Sequence, residues 1–381
     1  MKKQMILILV MLVVLSFFKT VYANEYIDEF INSERIEKLS DISEKNDNIN
    51  KIYDDFSFVD FVNNIVSSKS VFDAESIFIK ISKVFFDEIY KNIATLSILI
   101  ILSIISMLIT NLNTSFNSKT TGEIAFFAFY LAYTGILSAG FFSCYESAKR
   151  VIDEQSAFMQ AATPTYISML IMTSNVGTSS VIKPLFLYFI SVITSVTQKI
   201  LLPLTIIIFV LSVVNNLSQR VQITKLINLL RLIVKKSLMV LTTLFITMIS
   251  LAGFGASQLD KLGVKVAKYA VGNFVPVVGG ILTSTVDTVT SSFILLKNAL
   301  GVAGIVVIAL ICAYPVIKFI ALVFIYKLAS GLIEVFGEKR ISDAVSDASE
   351  SISLIFTMIL CISIMFILSI TVLIQFAKGA V

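Results

Sequence analysis

Histidine and tryptophan are both absent from this 381-residue chain. Without histidine there is no imidazole base, no Ser-His-Asp triad and no histidine-ligated metal. Cysteine is nearly absent. Cys144, Cys312 and Cys361 stand singly inside apolar runs, so neither a zinc cluster nor a disulfide framework is suggested, and packing is their expected role. No glycine-rich phosphate loop of the P-loop kind occurs, so any energy from ATP has to come from a partner. Charge is scarce too, at 15% of residues.

What fills the chain instead is apolar. Hydrophobic residues make up 56% of it, with a mean hydropathy of +0.90. Several segments exceed the roughly 18 residues that span a bilayer. The expected fold class is therefore an all-α polytopic membrane protein. The net charge of +4 conceals an asymmetry: residues 24–91 carry 15 acids against 8 bases, whereas residues 92–381 carry 11 acids against 19 bases. An acidic head on a mildly basic membrane body gives no footprint for nucleic acid. It predicts two parts with different surroundings.

Residues 1–23, MKKQMILILVMLVVLSFFKTVYA, read as a cleavable signal peptide. Lys2 and Lys3 open it, an apolar stretch follows, and Val21-Tyr22-Ala23 offers cleavage after Ala23. An uncleaved anchor is the alternative. Residues 24–91 form a small acidic extracytoplasmic segment, charged at first, with Phe58, Phe61, Ile65, Ile77, Ile81, Val84 and Phe85 at helical spacing further on. Its core is too thin for a robust independent domain, so its helices are expected to dock on the membrane body or on a partner.

Residues 92–381 are the multi-span membrane domain. Apolar runs at 93–110, 124–145, 165–182, 184–216, 237–254, 301–328 and 351–376 predict six to eight transmembrane helices. Arg220, Lys225, Arg231, Lys235 and Lys236 make the densest basic loop, which the positive-inside rule puts in the cytoplasm. With residues 24–91 outside, one or three crossings must lie between 146 and 216. The C-terminus then ends outside in either case.

One stretch interrupts this pattern. NFVPVVGGILTSTVDTV, residues 273–289, concentrates Pro276, Gly279, Gly280 and Asp287 in an apolar neighbourhood. Upstream, Lys261, Lys265 and Lys268 recur at i, i+4, i+7, the pattern of a helix lying in the membrane interface. Downstream, Gly280, Ser284, Asp287, Ser291 and Asn298 share one helical face, and Val286, Val289, Phe293, Leu296 and Leu300 another. Residues 257–300 thus read as a broken-helix motif: an interfacial helix, a break, and a re-entrant or pore-facing helix. The plainer alternatives are a turn at Gly279-Gly280 between two surface helices, and an Asp287 that pairs with Lys297 or sits among headgroups. One carboxylate is thin for an ion-coordination shell. Gly301 and Gly304 are expected to allow close helix packing.

The stretches AFMQAATPTY, LPLTIIIFVLSVVNNLS, AKYAVGNFVPVVGGILTSTVDTV, LLKNALGVAG and ALVFIYKLASGLIE occur in an order that resembles the stage III sporulation protein AE family. The likeness covers nearly the whole chain, is most specific over 268–301, and owes almost nothing to 24–70. It implies a membrane component of the channel or secretion-like complex that joins mother cell and forespore after engulfment and sustains late forespore gene expression. It further implies residence in the mother-cell-derived membrane around the forespore, with the acidic head between the two membranes. Implied partners are the other proteins of the same operon, a cytoplasmic ATPase among them, and through these a forespore-side channel protein. No enzyme activity, cofactor or catalytic residue comes with the resemblance. Pro276, Gly279, Gly280, Asp287, Lys297 and Asn298 carry over only as motif members, structural or pore-facing. Two other classes compete. A stand-alone transporter or permease predicts inverted repeats with paired broken helices; the prolines within 184–216 and 301–328 are a weak hint, and no convincing repeat is present. An intramembrane enzyme, the third class, would have to work without histidine and without a P-loop.

Overall fold

A computed structural model describes residues 30–31, 33–67, 74–115, 119–172, 176–217, 223–274, 279–336 and 339–375. Within these, the side chains of 74–76, 110–115, 119–123, 170, 172, 176–184, 250–274, 279–292 and 375 are not described. All the regular structure in the described residues is helical. Three short helices come first: α1 (Glu34–Glu44), α2 (Asp47–Asn50) and α3 (Phe58–Val66). Two of them start on side-chain caps. Asn46 accepts from the amides of Asn48 and Ile49, and Ser57 from that of Asp60, so amides that no helical carbonyl can reach are satisfied.

The body follows as α4 (Ala74–Ser115), α5 (Lys119–Met172), α6 (Val176–Val196), α7 (Leu202–Leu217), α8 (Thr224–Phe274), α9 (Gly279–Val335) and α10 (Lys339–Gln375). A π-turn, Thr197–Leu201, joins α6 to α7 into one rod. Pro203 has no N–H to give the carbonyl of Lys199, and a single widened turn absorbs that mismatch. Among the described residues, six helices are long and apolar enough to cross a membrane: Ile77–Ile109, Ile124–Met169, Leu185–Leu217, Thr224–Ile249, Phe293–Val335 and Lys339–Ile374.

Burial ranks these helices. In their most apolar windows α9 is 61% buried and α10 50%, against 17% for α4 and 22% for α8. The α9–α10 hairpin is therefore the axis, with α4, α5 and the α6–α7 rod against it and α8 at the rim. Leu300, Ala303, Val307 and Ile311 of α9 are fully buried, as are Ile355, Ile359, Ile362 and Phe366 of α10.

Three features differ from the sequence reading. The 165–182 run is no helix of its own: 165–172 finish α5, and α6 begins at Val176. Among the described residues the body accordingly has six long apolar helices. Helix α4 runs unbroken across the 91/92 boundary drawn on composition. Finally, α5 has 54 residues and α9 has 57, so they extend ~80 Å and ~85 Å at 1.5 Å per residue, far beyond the ~30 Å of hydrocarbon. At that length each helix is expected to project past the bilayer.

The acidic head covers part of that projection. Ile36, Leu39, Ile49, Ile52, Phe56, Phe58, Phe61 and Val62 are buried, with α1 packed on α5 and α2 and α3 packed on α9. Polar pins ring the contact. The side-chain amides of Asn46 and Asn48 donate to Glu154 Oε2 at 2.8 and 3.0 Å, and Arg35 donates to Ser168 Oγ at 2.5 Å. Lys80 pairs with Asp54 at 2.7 Å, and Lys51 Nζ stands 4.0 Å above the Tyr314 ring. Of the two docking partners left open by the sequence, the head takes the membrane body.

Candidate functional site

Two junctions of polar side chains stand out in the body, one toward each end of the α9–α10 hairpin. The first joins the start of α9, the second half of α5 and the end of α10. Lys297 is 1% exposed and its Nζ donates to the carbonyl of Ile374, in the last turn of α10. A cation at that place meets the free carbonyls and negative dipole end of a helix, which offsets the cost of burying it. Gly301 lies one turn further on. A Cβ there would collide with the side chain of Ile374, and one at Gly304 with the hydroxyl of Tyr166. That hydroxyl donates to the carbonyl of Leu300 at 3.0 Å. The two glycines therefore let α10 and α5 approach α9, as their spacing predicted.

Below this, Gln155 ties three helices together. Its side-chain amide donates to Ser363 Oγ of α10 at 2.8 Å and to the carbonyl of Ile308 of α9 at 3.2 Å, all of it buried. In an apolar interior such a group is satisfied only in one register, so it fixes the axial position of α5 against the hairpin. Asn298 differs: its Oδ1 is buried and has no hydrogen-bond partner among the described residues.

The second junction is ionic. Arg231 of α8 binds Asp347 Oδ1 at 2.7 Å and Glu350 Oε2 at 2.6 Å, both on α10. Asn216 of α7 donates to the other Asp347 oxygen at 2.7 Å. Asn215 Oδ1 accepts from the amide of Ile223 at 2.9 Å, bracing the α7–α8 connection. Close by in the fold, the Arg340 guanidinium lies 3.5 Å from the centre of the Phe126 ring.

Of the residues singled out from sequence, Lys297 and Asn298 enter the first junction. The backbone of Gly279, Gly280 and Asp287 lies within α9, their side-chain surroundings fall outside the described residues, and Pro276 lies outside them altogether. Residues 280–298 lie in the opening turns of α9, which continues to Val335. Upstream, 257–268 lie within α8. Cys144 and Cys312 are buried and Cys361 half-buried, all free thiols, as the packing reading expected.

Sequence reasoning missed Gln155, Tyr166, Ser363, Asp347 and Glu154. Only Tyr166 carried a signal, since it closes AFMQAATPTY, and it meets LLKNALGVAG at Leu300 and Gly304. Likewise LPLTIIIFVLSVVNNLS supplies the Asn215 and Asn216 of the ionic junction.

The profile of the family described as stage III sporulation protein AE matches residues 56–377. The chain belongs to the stage III sporulation protein AE family. A similar relative is stage III sporulation protein AE of Bacillus subtilis (strain 168), 31% identical over 289 residues that cover 76% of this chain and 72% of that protein. No solved structure matches the chain. Membership in the family assigns the protein to sporulation. Both junctions lie inside the matched range, whereas α1 and α2 of the head precede it.

Proposed function

We propose that the protein is a membrane component of the channel or secretion-like complex that links mother cell and forespore and supports late forespore gene expression. The family match over 56–377 is the observation that carries this reading. The fold agrees with a structural subunit. The hairpin axis is filled with apolar side chains, and its buried polar groups bind helices to one another instead of converging on a substrate. In this reading the protein sits in the mother-cell-derived membrane around the forespore, with the docked head between the two membranes. Its partners are the other products of the same operon, including a cytoplasmic ATPase, and through them a forespore-side channel protein. The protein itself performs no catalysis.

The test is affinity purification of a tagged chain from sporulating cells after engulfment, paired with a late forespore reporter in a strain lacking the gene. Recovery of the operon's other membrane proteins, together with loss of reporter activity, is the expected result. A chain that purifies alone from cells whose reporter is unaffected would instead support the stand-alone permease reading.

A further inference from the structure

Five basic residues crowd the end of α7 and the first turns of α8, and the structure divides those it describes into two kinds. Arg231 turns inward and is consumed by Asp347 and Glu350. Lys225, Lys235 and Lys236 are exposed, and none of them makes an ion pair among the described residues. At 100° per residue, Lys225, Lys236 and the exposed Leu229 and Leu232 share the outer face of α8, opposite the buried Ile227, Val234 and Leu238. Lys235 flanks that face. Exposed Leu232 and Ile233 precede the lysine pair, and exposed Met239 and Val240 follow it. The lysines are thus embedded in an apolar helix surface that continues into the stretch long and apolar enough to cross a membrane.

We propose that this face of α8 is a binding site for anionic phospholipid. The lysines meet the headgroup phosphates and the interleaved leucines meet the first carbons of the acyl chains. Two observations choose lipid over a soluble acidic protein. The cations stand within an unbroken run of exposed apolar side chains, where a soluble surface would have to bury hydrocarbon to reach them. The face is also continuous with the exposed Met239, Val240, Leu244 and Ile246 further along α8, which the bundle leaves uncovered. Long lysine stems suit the place, since they lie along apolar surface while the ammonium reaches out to the phosphates. Internal pairing of Arg231 leaves the three lysines free of a protein counter-charge on α10.

The experiment uses the full-length protein in neutral detergent and follows thermal unfolding as dioleoyl phosphatidylglycerol or dioleoyl phosphatidylcholine is added. A rise in midpoint with phosphatidylglycerol and not with phosphatidylcholine is expected. Lys225→Gln, Lys235→Gln and Lys236→Gln combined should weaken the apparent phosphatidylglycerol affinity ten- to a hundredfold, on the order expected when three lysines each lose an attraction to an anionic surface. The triple change to arginine should keep the effect. Because the baseline midpoint without lipid is recorded for every variant, a folding defect is read separately from lost binding. Equal shifts with the two lipids, or an undiminished shift in the glutamine variant, overturn the proposal. So does a matching shift with soluble glycerol phosphate, which would mark a free-phosphate site, or with polyglutamate, which would mark an acidic-protein site.

Discussion

Tyr166 and Gly304 illustrate how single atoms set helix spacing in this bundle. The Tyr166 hydroxyl occupies the space a Cβ on Gly304 would need, and Gly140 and the Tyr326 hydroxyl repeat the arrangement elsewhere on α5 and α9. Gly304→Ala should therefore lower the unfolding midpoint in detergent, at a cost of about 1–3 kcal/mol as for other overpacked cores. Tyr166→Phe removes the obstructing oxygen along with one hydrogen bond worth about 0.6–1 kcal/mol. The double variant should be more stable than the sum of the two changes predicts, because the second relieves the clash made by the first. A strictly additive pair would mean that α9 and α5 do not approach as described. Lys297→Met belongs to the same scale. It keeps the buried stem and deletes the cation at the end of α10, and should cost about 1–3 kcal/mol of stability while leaving the protein in the membrane. Thermal unfolding in detergent measures it, and an unchanged midpoint would show that the contact with Ile374 contributes nothing. Gln155→Leu asks whether register matters beyond stability: the buried amide is replaced by an apolar group of similar size, and its partner Ser363 keeps its bond to Ile359. A disulfide trap between α5 and α10 that forms in the native protein should form less selectively in this variant.

The element that matters most for accessibility is the head, α1 to α3. Its apolar residues are buried against α5 and α9 instead of against each other alone, so it has no reason to stay folded when undocked. Glu154 is the anchor, since it accepts from both Asn46 and Asn48. Glu154→Ala leaves two amides without their acceptor and should raise the rate of limited proteolysis within residues 30–66 several-fold, with the body untouched. Glu154→Gln retains one acceptor oxygen and should fall between. Equal cleavage in all three proteins would mean that burial of Phe58 and Leu39 alone holds the head. The π-turn is the second element with a stated cause. Pro203→Ala restores the missing N–H and should let α6 and α7 merge into a regular helix, which hydrogen exchange at 197–203 would register as increased protection.

At the scale of the whole molecule, if each of the six apolar helices among the described residues crosses once, the head and the end of α10 are expected in one compartment and residues 218–222 in the opposite one. Cysteine probes test this with an impermeant thiol reagent in intact cells before engulfment. Glu37→Cys is the suitable head probe, because Glu37 is exposed, whereas Asn46 is buried and bonded to Glu154. Glu37→Cys and Gly379→Cys should label and Gln222→Cys should not. The native cysteines are buried or half-buried and are expected to give a low background. Labelling of Gln222→Cys would reverse the orientation derived from the basic residues around it.

Composition alone determined that the chain is an all-helical membrane protein, because nothing but a bilayer can accommodate runs of this length and hydropathy. Small-residue spacing alone pointed to close packing at Gly301 and Gly304, because a missing side chain on a helix face has few other uses inside a membrane. Tertiary structure decided the rest. An apolar run such as 165–182 reads the same in sequence whether lipid or protein covers it; here Arg35 reaches Ser168 and the head lies over that end of α5, so the run is no separate crossing. A buried lysine reads the same whether it lines a pore or caps a helix. Only the arrival of Ile374, 77 residues further along the chain, gives Lys297 its carbonyl. Both distinctions depend on which distant residue comes into contact, and local periodicity carries no information about that.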